Sequence, residues 1–291
     1  MFLPIYLIVM SNKFILPLIV LLSSCTAAKL SVPSAFSSQA TKMHVKGVNG
    51  WKINQHLSFG NYKTSTIKRG WDFSNSVQYT KFNLKPEEMM LRVFDIDTDK
   101  RRENHRGKFS YTVEDGNLVA EIFATEKFSE RELVYKNNTS LLNNITKTQR
   151  YEYAFSAAIL PLTATNNEPW SLVLVNKYDA KNDTARRIFD RPYVEEEGYA
   201  TNGKENIVIR PLRIEKVTTR GGKDTKVFGG KILSGYELKW DDGVVAIIDI
   251  LDNNIWLANE LDSHDKLILS SIASSIMLKK MQDVEKDRDE L

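Results

Sequence analysis

Cysteine is nearly absent from this chain of 291 residues: there is one, Cys25. A single thiol excludes a disulfide framework, and nothing after position 25 offers a thiol nucleophile. Histidine is scarce, with four residues. His44, His56, His105 and His264 show neither His-x-x-x-His nor His-Glu-x-x-His spacing, which removes the helical zinc motifs. No Gly-x-Ser-x-Gly elbow supports serine hydrolysis of that type. Gly221-Gly222-Lys223 and Gly229-Gly230-Lys231 lack the spacing and the Ser/Thr of a phosphate loop, and read as hairpin turns or bulges. An excess of one charge is also missing, since 40 Lys and Arg face 37 Asp and Glu. Nucleic acid, which selects clustered cations on one face, is not an expected partner. No uninterrupted apolar run reaches the ~20 residues needed to cross a bilayer.

What is present favours strands. Five Trp, eleven Tyr and thirteen Phe suit a β-rich fold. From Met43 to Leu160 the apolar period is mostly two. Phe109, Tyr111 and Val113 alternate with polar neighbours, Glu114-Asp115-Gly116-Asn117 turns the chain, and Leu118, Ala120, Ile122 and Ala124 return, which predicts a hairpin. Val77 to Leu84 alternates with one slip, as a bulged strand does. Phe128 to Leu142 reads either as a strand followed by a loop or as a short helix. Tyr151 to Ile159 alternates clearly. Pro161 to Asn206 reads mostly as loop, apart from a strand at Trp170 to Val175. Ile207 to Val217 contains Pro211, which predicts an edge or bulged strand. Val227 to Leu233 and Tyr236 to Trp240 follow, then a turn at Asp241-Asp242-Gly243. Val244 to Ile250 is nearly all apolar, as in a strand buried on both faces.

Leu261 to about Val284 is the one long helix predicted. Asp262 or Ser263 caps it and Asp265 favours its first turn. Ile268, Ile272 and Ile276 form a stripe with Leu269, Ala273, Met277 and Met281 beside it, while Ser270, Ser271, Ser274 and Ser275 line the flanks. The stripe follows a buried strand, so the helix is expected to lie across the sheet; a helix that binds a partner or lies on a membrane is the alternative. The expected fold class is mainly β (α+β): an antiparallel sheet or sandwich of about a dozen strands with one long C-terminal helix packed on it.

The N-terminus sets the expected compartment. Lys13 precedes an apolar run from Phe14 to Leu22, and Leu22-Ser23-Ser24-Cys25 follows. A basic region, an apolar core of nine residues and small residues before a cut have the order of a secretory signal. The tetrapeptide resembles the lipobox of a bacterial lipoprotein signal peptide. The resemblance covers residues 13–25 and implies that Cys25 carries the lipid. Met1 to Val9 is also apolar, so residues 1–22 read alternatively as one membrane helix. Lys13 would then sit mid-membrane at a cost of about 2.5–3.5 kcal/mol. Met10 gives a normal signal start, with residues 1–9 then lying upstream of the true start. The expected organisation is a signal over 1–24, a flexible tether over 25–42, a β region over 43–160, and a second β region with the helix over 161–291, continuous with the first or separate. Thr26 follows the cysteine, which by the enteric sorting rule implies the outer rather than the inner membrane.

The remaining constellations are thin. Asp95, Asp97 and Asp99 alternate and could face one cation, but Lys100 and Arg106 replace the glycine and glutamate of an EF-hand loop, and a solvated charged loop is the plainer reading. Glu195-Glu196-Glu197 and Arg186-Arg187 read as solvated charge. Trp51, Trp71, Trp170, Trp240 and Trp256 read as core rather than a sugar platform. Asp183-Thr184-Ala185 resembles the O-glycosylation site of exported proteins in some Bacteroidota, which would mark Thr184. No cofactor and no catalytic residue is assigned. The expected function is a non-catalytic envelope binding or assembly module. Its partners would be the membrane, through the lipid, and an envelope protein or small ligand. The alternative is an envelope hydrolase acting on a glycan, lipid or peptide, recognisable by a carboxylate and a nucleophile beside His56 or His105.

Overall fold

The computed structural model describes residues 30–48, 53–70, 104–135, 145–162, 167–179, 195–218, 224–227 and 231–279. A short turn of helix, α1 (Ser34–Ser37), precedes β1 (Ala40–His44), so the first strand begins inside the stretch expected as tether. Three short strands follow: β2 (Ser58–Phe59), β3 (Tyr62–Thr64) and β4 (Lys68–Arg69). The predicted hairpin is β5 (Asn104–Glu114) and β6 (Val119–Tyr135). Its turn is held by Asp115, whose Oδ1 accepts from the amides of Asn117 and Leu118 at 2.9 and 2.8 Å, and Gly116 supplies the positive φ of +98°. Of the two readings of Phe128 to Leu142, the strand holds as far as Tyr135. Next come β7 (Ile145–Pro161) and β8 (Trp170–Asp179).

β9 (Glu195–Thr201) corrects the reading of Pro161 to Asn206 as mostly loop. Its three glutamates and one glycine carry little strand propensity, and pairing on both sides, with β8 and with β10 (Asn206–Ile214), supplies what composition does not. The expected edge position for Pro211 is corrected too: β10 runs between β9 and β13 (Ile232–Trp240). The β9 ladder ends at Ile209↔Gly198, so Pro211 faces β13 alone and its missing N–H breaks no ladder bond on the other side. A register shift between Leu212 and Arg213 follows at once, which is the predicted bulge. A separate two-stranded ribbon, β11 (Lys216–Thr218) with β12 (Asp224–Lys226), lies between β10 and β13 in sequence.

β13 turns into β14 (Gly243–Asp249) through Asp241 and Asp242, whose φ values of +47° and +64° are those of a primed hairpin turn. Val245 to Asp249 are all buried, as an apolar run predicts. β15 (Asn254–Ala258) returns and pairs with β1. The sheet of thirteen strands is antiparallel at every pairing, in the order β1-β15-β14-β13-β10-β9-β8-β7-β6-β5-β3-β2, with β4 also on β5. Strands from both halves of the chain therefore share one sheet. Its two ends meet. Lys46, just past β1, exchanges backbone hydrogen bonds with Ser58 of β2 at 2.9 and 3.2 Å. The neighbours form a ring.

A ring of this size encloses more space than wall side chains fill, since about eight strands already give an interior that side chains just occupy. Helix α2 (Ser263–Leu278) fills it. Asp262 caps the helix, its Oδ1 accepting from the Asp265 amide at 2.8 Å. Every residue from Leu267 to Leu278 is buried, and the helix packs against β5, β6, β7 and β15, which lie on different arcs of the ring. The C-terminal helix is thus packed on the sheet, as expected, but within its closed curve. The serines expected on open flanks are buried as well: Ser270, Ser271, Ser274 and Ser275 each have 0 % exposure. Three of the hydroxyls are satisfied locally, Ser271 donating to the Leu267 carbonyl at 2.8 Å and Ser274 and Ser275 to that of Ser271 at 3.1 and 2.8 Å. Small side chains on these sides let the walls approach.

Candidate functional site

Two-residue alternation along the walls puts one set of side chains inside. At the end of the ring reached by the C-terminus of α2, that set turns polar. Tyr153 of β7 pairs with Asn176 of β8, and Asn176 with Glu196 of β9, so the three stand side by side on the inner face. Glu126 of β6 and Tyr236 of β13 complete the wall, both nearly inaccessible. Into this group runs Lys279, at the C-cap of α2.

The geometry is tight. The Lys279 Nζ donates to Glu196 Oε1 at 2.8 Å and to Tyr236 Oη at 2.7 Å, and Tyr236 Oη donates to the same Glu196 oxygen at 2.6 Å. The ammonium lies 5.0 Å from the centroid of the Tyr236 ring and 5.7 Å from that of Tyr153. Side-chain exposure of the ion pair is 1 % for Lys279 and 2 % for Glu196. Burial pulls the Lys279 ammonium below its usual range, against the opposing pull of Glu196 and Glu126. Burial, and then Glu196, push the Tyr236 phenol well up, with Arg213 acting the other way. Further along the ring Tyr111 Oη meets Ser274 and Ser275 of α2 at 3.0 and 2.9 Å, and burial raises this phenol to about 12 despite both hydroxyls. Chemically, the cluster is a desolvated ion pair closed by a phenol, suited to fixing the helix within the ring.

A pH dependence follows from the phenols. A folded-state pKa above the unfolded value of about 10 gives stability that is complete below pH 10 and lost as pH rises through the folded value. Tyr111 alone is expected to cost about 2 kcal/mol between pH 10 and pH 12, and Tyr236 adds to it. Lys279 has the opposite sign, because its lowered folded pKa lets stability rise with pH up to about 10.5, its unfolded value. Unfolding free energies in a pH series from 8 to 12 should therefore fall above pH 10, and Tyr111→Phe should flatten that fall.

Glu196 corrects one expectation. Only Glu197 of the described pair is exposed, while Glu196 is buried at 7 %. The signal was in phase, since Glu196, Gly198 and Ala200 alternate on the face of Leu172 and Leu174. Lys279 was likewise on the apolar stripe, three residues after Ile276 and seven after Ile272.

The other sequence candidates do not gather. Cys25, the acids Asp95, Asp97 and Asp99, Thr184, Trp51, Trp71 and the Arg186-Arg187 pair lie outside the described residues, as does the strand expected over Val77 to Leu84. His105 belongs to the backbone of β5, and its side chain is outside the described part. His44 Nδ1 is 3.2 Å from Asn254 Oδ1, and His56 Nδ1 is 3.3 Å from the Asn54 carbonyl. Among the described residues no three His, Cys, Asp or Glu side chains are placed to hold a metal ion. Trp170 is core and meets Trp240 edge-on at 5.4 Å, while Trp256 is half-buried beneath Lys42. Comparison of the chain with protein-family models, curated proteins and solved structures gives no match.

Proposed function

We propose that the protein is a lipid-anchored envelope module, held through Cys25, which binds or positions a partner on its outer surface without turning over a substrate. The observation that carries this reading is the filled interior. A closed sheet of this size is a natural container for a ligand, and here Leu267 to Lys279 of the chain itself occupy it. Recognition then falls to the outer walls and rims. Among the described residues no helix is long and apolar enough to cross a membrane, and attachment through a lipid at Cys25 requires none. The hydrolase alternative needs an acid and a nucleophile beside an imidazole, and the Nδ1 of His56 is turned to a backbone carbonyl.

The test is the intact mass of protein drawn from its native membranes, beside a Cys25→Ala variant. The expected mass is that of residues 25–291 plus acyl chains, and that species should be lost in the variant. An unprocessed wild-type chain, or a wild-type chain that is soluble in the cytoplasm, would sink the reading.

A further inference from the structure

We propose that the ring opens at one place, the junction between β1 and the β2–β3 hairpin, and that helix α2 is uncovered through it. The argument rests on how unevenly the ring is sewn. On one side β1 is laddered to β15 from Ala40↔Ala258 to His44↔Asn254, and the Val45 amide continues the pairing to the Asn253 carbonyl at 2.7 Å. On its other side β1 meets β2 through the single pair Lys46↔Ser58. Continuing that antiparallel register sets His44 opposite Gly60, where the β2–β3 hairpin already turns, so among the described residues Ala40 to Lys42 have no strand opposite them on this side. Side-chain packing rather than a ladder closes the junction: the Met43 side chain lies on Gly60, whose missing Cβ would come within 2.4 Å of the Met43 sulfur, and Val45 and Leu57 are buried beside it. Every other junction around the ring has at least two paired residues, and β6 with β7 run together from Ala120↔Pro161 to Tyr135↔Ile145.

The junction also lies over the helix. β15, next to β1 on one side, and β5, next to β3 on the other, both pack against α2. Separating β1 from Ser58 costs one pair of backbone hydrogen bonds, the Met43 contact and the two bonds that Gln55 Nε2 donates to the Gly47 and Val48 carbonyls at 2.9 and 3.1 Å, and leaves the longer ladders whole. This is a sub-global opening of the sort that amide exchange resolves from global unfolding. β1 is also the strand nearest Cys25 in the chain, so a load carried from that end reaches this junction first. The gate itself does not depend on whether Cys25 is acylated.

The experiment is amide hydrogen exchange on the full chain, in the wild type and in a variant with Lys46→Cys and Ser58→Cys. Residues that exchange both backbone bonds across an antiparallel pair have Cα atoms about 5.5 Å apart, within disulfide range. Cys25 is alkylated if its thiol is free. In the wild type, amides of Leu267 to Leu278 should exchange faster, and with a weaker denaturant dependence, than those of Ala120 to Ala124. Oxidising the Lys46→Cys/Ser58→Cys pair should slow the helix at least tenfold against its own reduced form. A control disulfide from Tyr199→Cys and Val208→Cys, paired and exposed on the far wall, should not. Helix amides that exchange in step with β6 in the wild type, or that respond equally to both disulfides or to neither, would overturn the gate.

Discussion

Lys279→Met is expected to destabilise the protein by about 3–5 kcal/mol, the usual cost of removing one partner from a buried ion pair. Methionine fills nearly the same volume, so the loss is electrostatic. Glu196 would keep the Tyr236 hydroxyl at 2.6 Å but lose the ammonium at 2.8 Å, and at 2 % side-chain exposure no water replaces it. Glu196→Gln alone leaves the ammonium buried beside a neutral amide. Burial already pulls that ammonium down, so in Glu196→Gln it should shed its proton at a lower pH than in the wild type and recover part of the cost. The double variant Lys279→Met/Glu196→Gln should therefore be more stable than the sum of the two single losses predicts, by about 1–3 kcal/mol. Urea unfolding of the four proteins measures this. Strict additivity would mean that the ion pair does not couple the helix to β9. Full recovery is not expected, because Glu126 also acts on Lys279.

The ion pair joins the last turn of the last helix to a strand 83 residues earlier. No local pattern carries that separation. Alternation was enough for β5 and β6, because a half-buried strand writes its own period, an apolar run was enough for β14, and Asp115-Gly116 and Asp241-Asp242 write their own turns. They were not enough for β9. Three glutamates look like solvent-facing charge until β8 and β10 fix which of them points inward. The helix was legible for the same reason as the hairpins, by its isoleucine spacing and Asp262 cap. Its surroundings were not. A stripe of isoleucines flanked by serines describes a helix on a flat sheet as well as one inside a ring. Deciding between them needs the pairing of β1 with β15 and of Lys46 with Ser58, and neither partner is identifiable from one sequence. The candidate site depends on both facts together: Lys279 reaches Glu196 and Tyr236 because the helix is encircled, and Glu196 faces it because β9 is a strand.

Encirclement has its own mutational signature. Ile272 has 0 % exposure near the middle of α2, and Ile272→Ala should cost about 2–5 kcal/mol, lost transfer energy plus an unfilled cavity. A helix lying on one face of a sheet would show that too. The serines separate the cases. On an open flank Ser271→Leu would change little, within about 0.5 kcal/mol, as surface substitutions do. Inside the ring Ser271 is sealed at 0 % exposure, its hydroxyl turned back on the Leu267 carbonyl at 2.8 Å. Three extra carbons there must displace a wall, at about 1–3 kcal/mol. Ser274→Leu should cost at least as much, since it also strips a hydroxyl from Tyr111. Thermal unfolding of the three variants gives the answer: losses at both the isoleucine and the serine positions mean walls on all sides, whereas a loss at Ile272 alone would put the serine side of α2 in water.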